Sequence, residues 1–159
     1  MTVTAAPPRT ATTAPKTKLG KWVSRPLQNI SPEVLPFWEG LTKHEFRLCT
    51  CKRCGTSYWP YTVCIHHADI PDFSEMAWSA TSGKGQIFAP LIVHKVTDPD
   101  YADEVPYVLA LVELDEGPLF PTRIIDLAPS EAKVGLRVAV RFFDVPEAKH
   151  TLPLFAPDR

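Results

Sequence analysis

The chemistry this chain can carry is concentrated in one stretch, Leu48 to His67, LCTCKRCGTSYWPYTVCIHH. It holds all four cysteines (Cys49, Cys51, Cys54, Cys64) and two of the five histidines, His66 and His67. Cys51 and Cys54 form a C-x2-C pair followed by Gly55, and Cys64 with His67 forms a C-x2-H pair nine residues further on. Two such pairs on neighbouring turns set four thiolate and imidazole donors at the corners of a tetrahedron, the arrangement of a structural Zn(II) site. Gly55 suits this reading, because a tight turn aiming backbone N–H groups at the sulfurs favours a residue that tolerates positive φ. Four protein ligands leave no open position, so the metal is expected to hold structure and to do no chemistry.

The expected ligands are Cys51, Cys54, Cys64 and His67. Cys49 is the reserve, although it lies only two residues before Cys51, and His66 misses the i, i+3 spacing. A disulfide would need an oxidising compartment, and no secretory signal supplies one. The expectation is therefore a cytoplasmic protein.

Composition narrows the classes. The chain has 159 residues, 45% hydrophobic and 22% charged, which suits one ordinary globular domain or two very small ones. Its 17 prolines argue against long helices. No apolar run approaches a membrane span, so no membrane association is expected. Residues 1–30 carry Arg9, Lys16, Lys18, Lys21 and Arg25 and no acid, for a charge of +5, and the remainder carries −6. A negatively charged body is a poor partner for nucleic acid, whose affinity rests on phosphate contacts.

The elements that must position the cysteine-rich stretch follow from local pattern. Residues 1–30, rich in Thr, Ala, Pro and scattered basic side chains near the start, are expected to be a disordered or partner-ordered tail. Residues 31–70 are expected to form a helix plus a zinc ribbon. Ser31 can cap that helix, Pro32 suits its first turn and Glu33 adds favourable charge over Ser31 to Lys43. Its Phe37 and Trp38 find little local core and are expected to contact another subunit.

From Glu75 the pattern turns to period two. Strands are expected at Met76–Thr81, Gln86–Val96 with a bulge or edge at Pro90, Tyr107–Leu114, Leu119–Leu127, and around Val138, Val140 and Phe142. Ser82-Gly83-Lys84-Gly85 and Asp115-Glu116-Gly117 read as turns. Five short strands in residues 71–146 suggest a small antiparallel OB-type barrel. Residues 147–159 are left as a C-terminal extension. The fold class expected is thus mainly β: an N-terminal helix and a rubredoxin-like zinc ribbon followed by a five-stranded OB-fold barrel.

This combination resembles the DUF35 family, proteins with a rubredoxin-like zinc ribbon plus an OB-fold that associate with acyl-CoA enzymes. The resemblance covers roughly residues 31–145. It rests on the helix with Phe37-Trp38, the run Cys51-Lys52-Arg53-Cys54-Gly55, Trp59-Pro60, Cys64, Ser82-Gly83-Lys84-Gly85, His94, Pro106-Tyr107, Gly117 and Gly135. The family's second metal pair is usually C-x2-C, and here it is Cys64 with His67. The resemblance implies a non-catalytic partner of a thiolase-like subunit that makes or breaks carbon–carbon bonds of acyl-CoA substrates, as in the breakdown of aromatics or steroid side chains. In such complexes the DUF35 chain shapes the CoA channel.

The residues themselves agree that no catalytic set is evident. Cys49, the one cysteine outside the expected metal site, has no His or carboxylate placed beside it by any motif. His94, Tyr101 with Asp98 and Asp100, and Lys84, Lys95 and Arg123 are candidate ligand contacts, each also read as an ordinary strand, loop or surface residue. No substrate-binding residue is assigned. Two other functions compete: an acyl-CoA-binding subunit of a hydratase, and a zinc-ribbon/OB module that binds nucleic acid.

Overall fold

The computed structural model describes residues 17–27, 30–67 and 73–158. Of the expected tail, residues 1–16 and 28–29 therefore lie outside the described part.

The chain begins with an arm that carries a 3-10 turn at Lys21–Ser24. A 3-10 turn at Pro32–Val34 leads into the only α-helix among the described residues, α1 (Leu35–Thr42). Gly40 sits inside α1, with no room for a Cβ against the Arg47 side chain. Strands β1 (Arg47–Cys51), β2 (Ser57–Tyr58) and β3 (Met76–Ala80) make a three-stranded antiparallel sheet in the order β2-β1-β3. Strands β4 (Lys84–Val93), β5 (Tyr107–Leu114), β6 (Leu119–Ile124), β7 (Arg137–Val145) and β8 (His150–Pro157) close a barrel in the order β4-β5-β6-β8-β7. Among the described residues no helix is long and apolar enough to cross a membrane.

The class of fold is as expected, mainly β with one short helix, a Cys/His cluster near the N-terminus and a closed five-stranded barrel. Two strands take different places. Met76–Ala80 is not a barrel strand: it pairs with β1 from Arg47↔Ala80 to Cys51↔Met76 and completes the ribbon sheet. The fifth barrel strand is β8, drawn from the stretch expected to be an extension, and it pairs with β7 from Val138↔Pro157 to Val145↔His150. Its Pro153 and Pro157 hid it, since proline lacks the N–H that a sheet interior needs. On its other side β8 meets β6 only at Ile124↔Phe155, so that side demands few donors. The irregularity expected near Pro90 falls just before it, between Ile87 and Ala89.

Alternation builds the barrel interior. Val108, Ala110, Val112 and Leu114 of β5 point inward, as do Ile87, Val138, Val140 and Phe155. At the corner before β4, Gly83 adopts φ +63, and a Cβ there would collide with Val140. Its carbonyl accepts from the Val140 N–H at 2.7 Å.

One core joins ribbon to barrel. Phe37 and Leu41 of α1, Phe46, and Leu48 of β1 belong to the same buried cluster as Val112, Phe120 and Phe155 of the barrel. Phe37 is 1% exposed. Its ring lies 4.4 Å from Trp59, 5.9 Å from Phe46, 6.1 Å from Trp78 and 6.3 Å from Phe120. This corrects the expectation of a subunit contact. Phe37 has a local core to enter because the barrel end and the ribbon converge on α1; Trp38 is half-buried at the edge of that core.

We predict that Phe37→Ala lowers stability by about 3–5 kcal/mol, the usual cost of emptying a packed phenylalanine site. Denaturant unfolding of purified protein checks this. A cost below about 1 kcal/mol would place the ring on the surface.

Candidate functional site

The first site grows out of the ribbon hairpin. After β1 the chain turns through Lys52–Cys54 to Gly55, whose φ of +74 reverses it. The Gly55 N–H donates to the Cys51 carbonyl at 2.8 Å and the Cys51 N–H to the Thr56 carbonyl at 2.9 Å. The turn at Ile65–His67, closed by the His67 N–H on the Cys64 carbonyl at 3.3 Å, brings the second pair across.

The result gathers Cys51, Cys54, Cys64 and His67, with one ligand atom from each within 4.8 Å of all the others. Cys54 Sγ lies 3.6 Å from Cys64 Sγ, and His67 Nδ1 lies 3.6 Å from Cys51 Sγ. Around a tetrahedral zinc with ordinary bond lengths, ligand atoms stand about 3.5–3.8 Å apart. The spacing and the donor chemistry therefore fit a four-coordinate metal ion. The Thr56 hydroxyl, 3.2 Å from Cys54 Sγ, and the Thr56 backbone N–H draw the Cys54 thiol down to about 7, which favours the thiolate a metal needs. The Tyr58 hydroxyl lies 3.3 Å from Cys64 Sγ.

Cys49 stands apart from this cluster. Its side chain is fully buried, with Sγ 3.9 Å from the Thr62 carbonyl, and burial pushes its thiol up. His66 is exposed and lies outside the cluster.

The second site was not read from the sequence. An apolar groove of about 790 Å³ runs over the outside of the barrel. Its floor comes from the outward faces of β4, β5, β6 and β8, where Leu91, Leu109 and Arg123 stand in one cross-strand row and Ala89, Leu111 and Pro121 in the next. Trp38 and Trp59 line it from the ribbon side, and Trp22 and Tyr101 from the arm. Leu91 is 59% exposed.

The arm wall is tied down by a buried ion pair. Glu104, whose side chain is 1% exposed, is ion-paired through Oε2 with Arg123 Nη1 and accepts at Oε1 from the Gly20 N–H and from Trp22 Nε1, while Glu104 Oε2 and Arg123 Nε and Nη1 have no hydrogen-bond partner. The Arg123 guanidinium lies over the rings of Tyr107 and Trp22, at 4.2 and 5.6 Å from their centroids. Trp22 stacks on Tyr101 at 5.5 Å. Arg25 clamps Asp98 and Asp100, and Asp98 is held below the usual carboxylate range by the Asp100 backbone N–H and by Arg25. Thr17 bonds Asp126 from both its N–H and its hydroxyl side, and His150 Nε2 lies 3.0 Å from the Val23 carbonyl.

Of the other sequence candidates, Arg123 and Tyr101 line the groove, while Asp98 and Asp100 serve the arm clamp. Lys84 pairs with Asp158. His94 and Lys95 are exposed beyond the end of β4. The signal for the groove was present in β5, YVLALVEL, whose outward Leu109 and Leu111 are as apolar as its inward positions, the pattern of a strand segment covered on both faces.

A Cys/His-clustered ribbon packed on a closed OB-type barrel defines a two-module architecture, and the comparisons match it. The model of the ChsH2 C-terminal OB-fold domain family matches residues 78–143. A DUF35 domain-containing scaffold protein of Methanocaldococcus jannaschii is 34% identical over 98 residues, 61% of this chain and 67% of that protein. A probable enoyl-CoA hydratase alpha subunit of Thermomonospora curvata is 30% identical over 122 residues, 76% of this chain. This chain spans only 36% of that subunit. The solved structure titled Ltp2-ChsH2(DUF35) aldolase aligns with a TM-score of 0.71 at 27% identity, covering 84% of this chain and all of the matched one. The chain belongs to the DUF35 family.

For the metal centre we predict about one equivalent of zinc in the purified protein, lost in Cys54→Ser and retained in Cys49→Ser and His66→Ala. Elemental analysis of the four proteins decides it. Zinc that survives His67→Ala and disappears with Cys49→Ser would move the fourth ligand.

Proposed function

We propose that this chain is a non-catalytic subunit of an acyl-CoA enzyme complex, partnering a thiolase-like chain that cleaves or forms carbon–carbon bonds. The observation that carries the reading is the make-up of its concave surface. Among the described residues the 790 Å³ groove is lined by no Cys, His, Asp, Glu, Lys or Ser; its hydroxyls, on Tyr101, Tyr107 and Thr122, have no general base beside them in the lining. Its one cation, Arg123, is already paired with Glu104. The likeness to a chain of the Ltp2-ChsH2(DUF35) aldolase and to a scaffold protein supports the same role.

In this reading Cys51, Cys54, Cys64 and His67 hold a structural Zn(II), which would fix the ribbon hairpin and its orientation toward α1. Binding through three thiolates requires reduced cysteines and suits a reducing compartment such as the cytoplasm. The chain's own residues shape and cover the substrate channel, and the reacting cysteine and histidine belong to the partner.

The likeness to a hydratase alpha subunit favours a second reading, an acyl-CoA-binding subunit of a hydratase. Co-expression with the proteins encoded beside it separates the two. The expected result is a stable complex with a thiolase-like chain, acyl-CoA turnover by the complex and none by this chain alone. Turnover by the isolated chain, or a complex with a hydratase-like protein only, would overturn the proposal.

A further inference from the structure

We propose that residues 17–27 form a strap that opens and closes on the folded barrel, so that the groove exists both with and without its arm wall. The inference goes beyond the subunit reading: it concerns the chain's own motion and holds whichever enzyme the chain partners.

Side chains make the fastenings. Thr17 and Asp126 exchange bonds of 2.6 to 3.2 Å. Glu104 Oε1 accepts from the Gly20 N–H and from Trp22 Nε1. His150 Nε2 donates to the Val23 carbonyl at 3.0 Å, and Arg25 holds Asp98 and Asp100. Among the described residues no backbone-to-backbone bond joins the arm to the barrel; the bond from the Arg25 N–H to the Trp22 carbonyl stays within the arm. The arm can therefore lift without breaking a strand ladder. Leu19 and Trp22 pack on Ile125, Leu154 and Ala156, a cluster separate from the main core, so that core survives the opening.

The closed strap also covers polar atoms that nothing satisfies. Among the described residues five buried side-chain atoms lack a hydrogen-bond partner, and four of them are Glu104 Oε2, Arg123 Nε, Arg123 Nη1 and His150 Nδ1. Glu104 and His150 bond the arm directly, and the Arg123 guanidinium lies over the Trp22 ring. An unmade buried bond favours the state in which water reaches the atom. Opening loses the arm's bonds and the stack of Trp22 on Tyr101, but it brings water to these four atoms. The two effects oppose each other, which puts the arm at the low end of local stability. In the open form Trp22 leaves the groove lining and Arg123 is uncovered there.

Closure further depends on a residue without a side chain. Gly20 has φ −82, an ordinary value that suits any residue. A Cβ there would nevertheless collide with the Asp100 carbonyl and with Glu104 Oε1. Gly20→Ala is thus a wedge under the strap that leaves the barrel's own sequence untouched.

The test is native-state hydrogen exchange of the full chain without partner, read residue by residue by NMR at several low urea concentrations. The Thr17 and Gly20 amides and the Trp22 indole N–H report the strap, and the Val112 amide reports the barrel. In wild type the strap groups should be protected, yet exchange about 100-fold or more faster than Val112 and with little dependence on urea, since a local opening exposes little surface. Gly20→Ala should speed exchange at Thr17 and at the Trp22 indole by roughly tenfold, the effect of one overpacked methyl group, and leave Val112 unchanged. Unprotected strap groups in wild type would show that no closed strap exists. Exchange at the rate and urea dependence of Val112 would show that the arm opens only with the whole chain. Unchanged strap exchange in Gly20→Ala, or an equal loss of protection at Val112, would show that the strap does not move separately. Each of these results would overturn the proposal, and none bears on the subunit reading, because no partner is present.

Discussion

The burial of Phe37 is the interaction on which the rest of this structure depends. A small ribbon has little core of its own, and a five-stranded barrel has an open end. One ring, carried on an eight-residue helix, meets both needs by lying against Trp59 and Trp78 of the ribbon and Phe120 of the barrel. Full burial of such a side chain contributes on the order of 1.5–3 kcal/mol, and each well-placed aromatic pair adds about 0.5–1.5 kcal/mol. The Cys/His cluster and the barrel are thereby held together, joined again through Trp78, which packs against both the ribbon and the main cluster.

That geometry explains how the groove comes to exist. Its floor is barrel, one flank is ribbon and helix, and the other is an arm 73 to 109 residues away in sequence from its anchors Asp98, Glu104 and Asp126. The Glu104–Arg123 pair anchors the arm at low exposure, with Glu104 further bonded by the Gly20 N–H and the Trp22 indole. A buried pair that leaves Glu104 Oε2 and Arg123 Nε and Nη1 without hydrogen-bond partners specifies one position for the arm more than it adds stability.

Legibility in the sequence followed the range of the physics. The clustering of Cys51, Cys54, Cys64 and His67 was visible because its two pairs are local and their spacing admits few residue types. Four of the barrel strands were visible through their alternation. β8 was hidden by prolines that only its one-sided pairing permits, and Met76–Ala80 alternates as well as any barrel strand, so only the Arg47–Cys51 pairing assigns it to the ribbon. Phe37 looked surplus because its partners at Trp59, Trp78 and Phe120 are distant in sequence. The contacts of residues 17–27 within this same chain, where a disordered or partner-ordered tail was expected, were equally out of reach, since they depend on Asp98, Glu104 and Asp126.

The central claim is that ribbon, helix and barrel form a single cooperative unit with the aromatic core at its centre. Differential scanning calorimetry of the zinc-loaded full chain tests it most directly. The account predicts one transition whose calorimetric and van't Hoff enthalpies agree, and which moves as a whole to lower temperature when the metal is chelated. Two resolved transitions, of which chelation shifts only one, would show the ribbon and barrel to be independent and would contradict it.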